Sequence, residues 1–313
     1  MPSLFTHREF ALRDTPPLDG RGGQGGIGRG KHLETLSYHG SSMYDESRDI
    51  TTSHERQYRH ISLDKNDKSV VFAQCDLANI FAVKEVADQV KRMTERPDVI
   101  ICNGGLGITS KYGRSPQDVE MVSAANCVGH QLLVTLLLPF LKHTATKHKS
   151  TKARFVVTSP CLHSFCHEPD LDQLTTPIRP KSQSPYIDGL WRYSRSKLGN
   201  ILLTKEISRR LQQDDSAGDN VYDEHYGKVL RAAFRYIFSI IGQSTQDGAA
   251  TAMYLAASDK IRVDGIRGQY YIPIAKPCAT TGIADELVLA RKLWVWVDAR
   301  ATEHLGPNWQ PEA

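Results

Sequence analysis

Tyr193 and Lys197 are the pair of side chains in this sequence best suited to acid–base chemistry. They stand four residues apart in YSRSK, at the start of a segment with helical spacing, so both side chains lie on one helix face. A nearby ammonium group lowers the pKa of a phenol because it favours the phenolate, and tyrosine then exchanges a proton near neutral pH. The same spacing is common in helices, and an exposed surface pair is the other interpretation of these two residues alone.

Two polar residues in apolar surroundings favour the catalytic interpretation. Ser159 ends a predicted buried strand, ARFVVTSP, and precedes Tyr193 by 34 residues. Asn126 lies within an otherwise apolar helix, where its amide needs hydrogen-bond partners. Asn126 therefore either serves a catalytic site or ties two helices together.

A glycine-rich segment, GGQGGIG at residues 22–28, offers a second kind of chemistry. Gly22, Gly26 and Gly28 fit the pattern Gly-x-x-x-Gly-x-Gly, in which backbone amides approach a pyrophosphate at a helix N-terminus. A helix can follow in KHLETLSYHG, but the preceding ALRDTPPLDGR contains no apolar strand. The segment is either a phosphate-binding turn or a flexible loop.

Short apolar runs alternate with helical segments from Ser69 onward. The predicted strands are PDVIICNGG, ARFVVTSP and GQYYIPI. The predicted helices are IFAVKEVADQVKRM, the mostly apolar VEMVSAANCVGHQLLVTLLLPFLKH, YSRSKLGNILLTKEISRRL, GAATAMYLAAS and ARKLWVWVDARATEHL. This alternation predicts an α/β fold, a Rossmann-like doubly wound parallel sheet with helices on both faces.

The same pattern predicts one domain. We expect an N-terminal extension at residues 1–20, a single domain at 21–300 and a C-terminal tail at 301–313. The polar, proline-rich residues 163–191 are expected to form a loop, in which Tyr186 and Trp191 either contact an apolar substrate or pin the loop. The last helix either covers the sheet or meets a neighbouring subunit.

Composition and charge argue against several classes of protein. The 313 residues carry 39 Lys plus Arg against 35 Asp plus Glu, and the net charge of +4 is too small for a nucleic-acid surface. The longest apolar run, Leu132 to Leu141, has about half the length of a membrane span, and the N-terminus lacks the apolar middle of a secretory signal. The six cysteines are scattered, which favours reduced thiols. We therefore predict a cytoplasmic protein with no membrane span and no nucleic-acid partner.

A cluster of metal-binding residue types lies between the last two predicted site motifs. Cys161, His163, Cys166 and His167 fall within seven residues. Their spacing matches no common zinc ligand set, and no second Cys/His pair follows at finger distance. We expect no metal.

The order of the motifs resembles the short-chain dehydrogenase/reductase family, and within it the retinol-dehydrogenase-like and WW-domain-oxidoreductase-like branch. The likeness covers roughly residues 20–300 and is strongest from Val70 to Leu211. It rests on the glycine segment, CDL at 75–77, CNGG at 102–105, ANCVGHQLLVTLLLPFL, RFVVTSP, YSRSKLGNILLTKEISRRL and GQYYIPIAKP.

The resemblance implies a role for each matching residue. Cofactor-binding residues are implied at Gly22, Gly26, Ile27 and Gly28 for the pyrophosphate, Asp76 and Leu77 for the adenine, and Asn103 and Gly105 for the adenosine ribose. Tyr193 is implied to exchange a proton with the substrate oxygen, and Lys197 to bind the nicotinamide ribose and lower the tyrosine pKa. Asn126 is implied to hold a water that links Lys197 to solvent. Arg48 stands where this branch pairs an arginine with a 2′-phosphate, which favours NADP over NAD.

Three features depart from the family's pattern. The first two strands, expected around LDGRGG and SSMYDESRD, have lost the usual TG dipeptide and the aliphatic run. The family's paired serines read Ser159-Pro160, so proline replaces the serine that polarises the substrate carbonyl. The Pro-Gly turn expected after the sixth strand is replaced by NVYDEHYGKVLRAAFRY.

The sequence therefore predicts an NADP-dependent oxidoreductase, with NAD as the other option. It is expected to interconvert a carbonyl and an alcohol on a small apolar or secondary-metabolite-type substrate, with Tyr193, Lys197, Ser159 and Asn126 as catalytic residues. A homo-oligomer is left open. The alternative, which the three departures favour, is a catalytically weak or inactive family member that acts as a cofactor-binding or interaction module.

Overall fold

The computed structural model describes residues 39–40, 73–147, 153–167, 171–174, 184–214, 245–272 and 275–311. The strands in these residues are β1 (His39–Gly40), β2 (Val99–Cys102), β3 (Gly105–Leu106), β4 (Arg154–Val157), β5 (Tyr270–Ile272) and β6 (Lys276–Cys278). The helices are α1 (Ile80–Met93), α2 (Met121–Lys147), α3 (Pro185–Asp214), α4 (Thr245–Ala257), α5 (Asp259–Val263) and α6 (Leu287–Leu305). Short 3-10 turns cover Cys161–Phe165, Leu171–Leu174 and Gly282–Asp285.

The described strands form two parallel pairs and one antiparallel pair. β2 lies parallel to β4, with Val99 opposite Arg154 and Cys102 opposite Val157. β1 lies parallel to β3, and β5 lies antiparallel to β6. Helix α2 lies between β2 and β4 in the chain and forms part of the long crossover connection that parallel strands require.

The side chains of β2 alternate between two layers of helices. Ile100 and Cys102 face a core built from α1, α2, α3 and α6. Val99 and Ile101 face the other side, where they pack with Val156 and with Ala256 of α4. All four residues of β2 are buried, as expected for a parallel strand covered on both faces. The predicted Rossmann-like α/β arrangement is confirmed.

α1 and α2 form where the residue spacing predicts them. The buried residues of α1 are the five apolar residues that recur at helical spacing, namely Ile80, Val83, Val86, Ala87 and Val90. Its N-terminus is capped by Asn79, whose side-chain oxygen accepts from the Phe81 amide at 3.1 Å.

Helix α2 is long and mostly apolar. By length and composition it could cross a membrane, but 89% of its apolar window is buried inside the protein. The core helix of a globular domain meets the same criteria. The absence of a membrane span therefore stays a prediction.

α3 is longer than predicted. It begins at Pro185, so the expected loop over 163–191 is too long and Trp191 and Tyr186 lie on the first turns of a helix. Proline fits the first helical position because its missing N–H is not needed there. The Ser184 carbonyl then accepts from the amides of Ile187 and Asp188 at 3.1 and 3.2 Å.

The C-terminal segment belongs to the core. α6 continues through the expected boundary at residue 300, and Ala301 and Trp309 are 1% and 6% exposed. The Trp309 indole donates to the Thr302 hydroxyl at 3.2 Å. α6 thus covers this chain's own core, with Leu293, Trp294 and Val297 buried, while the division into 1–20, 21–300 and 301–313 as a whole stays a prediction.

The cysteines range from buried to exposed, with Cys75 half-buried. All six are free. Burial raises the pKa of Cys102 and of Cys127 to about 12, and Cys166 is also buried. Cys161 and Cys278 are exposed.

Candidate functional site

The residues that follow β2 and β4 meet at one edge of the sheet. Thr158, directly after β4, donates from its hydroxyl to Oδ1 of Asn103 at 2.9 Å. The Thr158 carbonyl accepts from Nζ of Lys197 at 3.4 Å and from Nδ2 of Asn200 at 3.1 Å. The structure thus brings together Asn103 and Lys197, which were predicted from separate motifs. They meet at the carboxyl ends of parallel strands, where open α/β sheets bind ligands.

α3 presents Tyr193 and Lys197 on one face, as the spacing predicts. Nζ of Lys197 lies 5.7 Å from the centre of the Tyr193 ring. Lys197 is only 4% exposed. Burial lowers its pKa to about 8, and the thiols of Cys127 and Cys102 act weakly in the opposite direction.

The pKa of Tyr193 differs from the expectation. Burial raises the pKa of this phenol, and the neighbouring Cys161 raises it further. In the chain without a ligand the direction is thus opposite to the expected lowering, because burial disfavours the charged phenolate. Tyr193 therefore carries its proton at neutral pH.

Ser159 lies beside this pair, but its hydroxyl is already engaged. Its Oγ donates to the backbone carbonyl of Lys197 at 2.7 Å. Its own carbonyl accepts from the phenol of Tyr270 at 2.9 Å. The hydroxyl proton thus anchors the end of β4 to α3 rather than pointing to a substrate.

Tyr270 is a site residue that sequence reasoning missed. It comes from β5, and its ring meets the His163 ring edge to face at a centroid distance of 5.2 Å. Nδ1 of His163 lies 3.0 Å from the carbonyl of Pro160. Tyr270 and His163 therefore contact the backbone carbonyls of Ser159 and Pro160 and fix the chain after β4. No signal in GQYYIPI distinguishes this tyrosine from an ordinary strand residue.

The Asn126 side chain links three elements. It lies in a π-turn of α2 over Ala124–Val128. Nδ2 donates to the Leu106 carbonyl at 2.9 Å and to Oγ of Ser196 at 3.1 Å, and Oδ1 accepts from the Leu106 amide at 2.7 Å. These bonds correspond to the structural alternative, in which Asn126 ties elements together, here α2, α3 and the loop at β3.

Gly105 is required by this arrangement. A Cβ atom at Gly105 would lie 2.2 Å from Oδ1 of Asn126, and its φ of +157° is one that other residues rarely adopt. The glycine lets the backbone after β2 approach the asparagine.

Asp76 and Leu77 lie where the chain approaches α2. Oδ1 of Asp76 accepts from the Ala78 amide at 2.9 Å. The Leu77 carbonyl touches α2 at Gly129, where a Cβ would lie only 2.1 Å from it. The predicted adenine contacts of these two residues stay predictions.

A buried ionic cluster, which the sequence analysis did not find, joins α3 to the start of α2. Arg192 is 1% exposed and lies 3.4 Å from Glu120 and 2.9 Å from Asp188. Its guanidinium also donates to the carbonyls of Thr109 and Lys111 at 2.9 and 3.1 Å. Because Arg192 directly precedes Tyr193, the cluster fixes this part of α3 against the loop after β3.

Glu120 contacts both helices of that cluster, Arg192 on α3 and the first amides of α2. It is fully buried and caps α2, accepting from the amides of Val122 and Ser123 at 3.0 and 2.9 Å. A charged residue before an apolar helix is usually exposed, which is why its burial could not be predicted.

Exposed apolar side chains concentrate beside Tyr193. Five of the eleven large apolar side chains that are exposed among the described residues lie on the loop after β3 and the first turns of α3: Ile108, Tyr112, Tyr186, Ile187 and Trp191. The two segments are in close contact, since a Cβ at Gly189 would lie 2.1 Å from the Thr109 carbonyl. We call these five residues the apolar platform.

Several predicted residues fall outside this description. Gly22, Gly26, Ile27, Gly28 and Arg48 lie outside the described residues. Within the part of the chain that is described, no three His, Cys, Asp or Glu side chains are grouped closely enough to hold a metal ion.

Comparison with known proteins places this chain in a family. No family model matches the chain. Retinol dehydrogenase 14 of Mus musculus is 30% identical over 241 residues, which cover 74% of this chain and 67% of the mouse protein. The WW domain-containing oxidoreductase of Gallus gallus is 26% identical over 294 residues, covering 91% and 68%. The chain thus spans about two thirds of the length of these relatives.

A solved structure supports the fold independently. An uncharacterised protein from Mycobacterium paratuberculosis superposes with a TM-score of 0.54 at 22% identity, over 80% of this chain and 81% of that one. The chain belongs to the short-chain dehydrogenase/reductase family. The predicted resemblance and the predicted class, an NAD(P)-dependent oxidoreductase, are confirmed.

Proposed function

We propose that this chain is an NADP-dependent oxidoreductase that interconverts a carbonyl and an alcohol on an apolar substrate. The observation that carries the proposal is the meeting of Tyr193, Lys197 and Asn103 at the end of β4. Tyr193 has a proton to give, and Lys197 supplies a buried positive charge 5.7 Å from its ring.

The residues at this edge fit a nicotinamide dinucleotide. Within the described residues, the Lys197 ammonium makes one hydrogen bond, a long one of 3.4 Å, so it retains donors for ribose hydroxyls. Asn103 is exposed at the same edge. When bound, the nicotinamide ring would supply or accept the hydride at the reacting carbon.

The chain's own part in the reaction is proton transfer. Since burial raises the pKa of Tyr193, the phenol is protonated at neutral pH and acts as the acid toward a carbonyl oxygen. The phenolate that remains is a negative charge in a buried place, and the nearby Lys197 ammonium stabilises it. At neutral pH the resting phenol is thus in the protonated form that carbonyl reduction requires.

The preference for NADP rests on Arg48 and remains a proposal. An arginine can bind a 2′-phosphate through paired hydrogen bonds, which NAD cannot offer. Pyrophosphate binding by Gly22, Gly26, Ile27 and Gly28 and a cytoplasmic location belong to the same proposal.

The apolar platform supports an apolar substrate. Tyr186 lies seven residues before Tyr193 on the same face of α3, which puts it about 10 Å along the helix from the reacting end. It is 72% exposed. A substrate of that length would bury apolar surface on the platform while its oxygen reaches Tyr193.

One observation favours the second candidate, a catalytically weak family member that binds cofactor. Pro160 replaces the expected serine and has no amide proton, and the Ser159 hydroxyl is bonded to the Lys197 carbonyl at 2.7 Å. Among the described residues near Tyr193, neither position thus offers a free donor for a substrate carbonyl.

The test is to titrate the purified full chain with NADPH and NADH by nucleotide fluorescence, followed by turnover assays on long-chain and aromatic aldehydes and ketones. Oxidoreductase function predicts NADPH oxidation with at least one apolar carbonyl. Tyr193→Phe should then lower kcat by a factor on the order of a hundred, because it removes the transferable proton, and leave the NADPH Kd unchanged. Tyr254→Phe, on α4, is the matched control. Nucleotide binding without turnover across the panel would instead establish the second candidate.

A further inference from the structure

The outer face of α6 is apolar along its centre. Val288 and Val295 are 69% and 56% exposed, and Leu287 beside them is 53% exposed. Because Val288 and Val295 stand seven residues apart, the rotation of about 100° per residue places them on one line along the helix. The inner face of α6 is buried in this chain's own core. We call Val288 and Val295 the outer stripe of α6; the described residues leave it exposed.

Charged residues flank the outer stripe in a fixed order. Arg291 and Lys292 are exposed in the N-terminal half of α6, and within the described residues neither forms an ion pair. Asp298 and Glu303 follow in the C-terminal half. Measured from Val295, Arg291 and Asp298 lie about 40° and 60° round the helix on one side. Lys292 and Glu303 lie about 60° and 80° round on the other side. Each flank thus has a positive charge before Val295 and a negative charge after it.

Both carboxylates can accept a further partner. Asp298 accepts from the side-chain amide of Gln310, and Glu303 lies 2.8 Å from Arg300. An ionised carboxylate offers about four acceptor positions, so these contacts leave room for a cation from another molecule.

We propose that a second copy of this chain packs on the outer stripe, with the two α6 helices antiparallel about a two-fold axis at Val295. The two Val295 side chains then meet at the axis, and Val288 of each copy faces Thr302 of the other. Arg291 precedes Val295 by four residues and Asp298 follows it by three, on the same flank. The axis therefore brings Arg291 of each copy opposite Asp298 of the other, and the contact is self-complementary.

The charge order favours a second copy over an anionic membrane surface. Arg291 and Lys292 beside exposed valines fit anionic lipid headgroups too. The same lipids repel Asp298 and Glu303, whereas in the antiparallel pair these acids meet positive charges. A parallel pair of α6 helices would instead place like charges opposite each other. One helix face is small for a protein interface, so we expect a reversible dimer with a Kd in roughly the micromolar range.

Sedimentation of the full chain measures this assembly. We expect the mean mass to rise from monomer toward dimer between about 1 and 100 µM protein. Val295→Asp places two carboxylates at the axis and should raise the Kd by about tenfold or more. Val263→Asp is the matched control, because Val263 is 71% exposed on α5, and it should leave the Kd unchanged. A chain that stays monomeric over this range, or a dimer that Val295→Asp does not weaken, would overturn the proposal.

A charge exchange tests the antiparallel pairing. Arg291→Glu and Asp298→Arg each place like charges opposite one another and should each raise the Kd about fivefold or more. The double variant restores opposite charges and should return the Kd to within about twofold of the unaltered chain. Gln310→Ala, which removes the contact inside the chain, should leave the Kd unchanged. Urea unfolding checks that all four variants are folded. A double variant that dimerises no better than the single variants would contradict the pairing.

Cross-linking tests the position of the axis. Val295→Cys places two thiols at the axis, and oxidised glutathione, which accepts the two electrons, should link the copies through a disulfide. Val288→Cys lies about 10 Å along the helix from the axis, so its two thiols are out of reach of each other and no link should form. The unaltered chain, with its exposed Cys161 and Cys278, gives the background. Links in both variants would indicate a parallel pair, and no link in Val295→Cys would exclude the axis; either result overturns the proposal.

Flotation with vesicles separates the lipid alternative. The probes are vesicles of phosphatidylcholine alone and of phosphatidylcholine with phosphatidylserine. We expect no vesicle binding that depends on the outer stripe. If the chain is monomeric in solution and binds the phosphatidylserine vesicles in a way that Val295→Asp abolishes, the stripe meets a lipid surface and the proposal is wrong. None of these measurements requires turnover, so they stand apart from the proposed function.

Discussion

Burial of the Lys197 ammonium group costs free energy that its contacts in the folded chain do not fully offset. Its pKa is lowered to about 8 by burial, from an ordinary value of 10.5. Below pH 8 both the folded and the unfolded chain bind the proton, and the folded chain bears the full cost of the buried charge. Between about pH 8 and 10.5 the unfolded chain binds more protons, so the free energy of unfolding rises with pH across this range.

Lys197→Met should therefore stabilise the ligand-free protein. We expect the free energy of unfolding at pH 7 to rise by roughly 3 kcal/mol, and the difference to vanish as the pH approaches 10.5. Urea unfolding across this pH range measures it, with the exposed Lys260→Met as the control. NADPH binding should weaken in the same variant, since the ammonium is lost. A variant that is less stable at pH 7 would show that the charge is well solvated where it lies.

Ser159 and Pro160 give a second prediction at this scale. Pro160→Ser should raise kcat, because it restores a hydroxyl near Tyr193 and leaves the carbonyl that His163 contacts. Ser159→Ala should lower kcat by about tenfold, through loss of the bond that anchors β4 to α3. Steady-state kinetics on the best substrate of the panel decides. If Ser159→Ala is as damaging as Tyr193→Phe and Pro160→Ser brings no gain, Ser159 is the substrate donor after all.

At the scale of elements, sequence periodicity predicted the scaffold better than the contacts between its parts. α1 and β2 follow from apolar spacing, because burial of one helix face or of a whole strand leaves a regular pattern. The partner of Asn126 could not be predicted, since Leu106 bonds through its backbone and any residue there offers the same groups. The burial of Glu120 and Arg192 was missed because each is charged, and burial of a charge is tolerable only where other residues supply an opposite charge and hydrogen bonds.

Arg192→Met tests the coupling of α3 to α2. Its loss leaves Glu120 and Asp188 without their shared cation, and we expect a loss of about 3 kcal/mol in the free energy of unfolding. Arg209→Met on the same helix is the control, because Glu206 keeps its bond to Arg210 at 2.7 Å and the expected change is near zero. Similar values for the two variants would mean that the cluster adds little to the fold.

At the scale of the whole molecule, the core contains residues that are far apart in the described chain. α1 near residue 80 and Trp309 close to the C-terminus belong to the same cluster of buried residues. The segment expected to be a C-terminal tail, residues 301–313, contains Ala301 and Trp309, which are 1% and 6% exposed. A buried indole removes a large apolar area from water, so Trp309 alone can attach this polar segment to the core.

Trp309→Ala should accordingly destabilise the entire domain. The expected loss is about 3 kcal/mol in the free energy of unfolding, as for other buried aromatic residues cut to alanine. Trp191→Ala, which removes a side chain that is 43% exposed, should change stability little but raise KM for apolar substrates. A tail that merely rests on the surface would give the same small change for both.

Because some thiols are buried and others are exposed, the rate at which the cysteines are alkylated reports how often the core opens. Cys102 and Cys127 are shielded from alkylating reagents by burial and by a raised pKa, since the thiolate is the reactive form. Cys161 and Cys278 stand exposed near the tyrosines of the site. The intact mass after brief alkylation therefore counts molecules that have opened their core, and protection of Cys161 by a nucleotide or an apolar ligand would report occupancy of the site without any label.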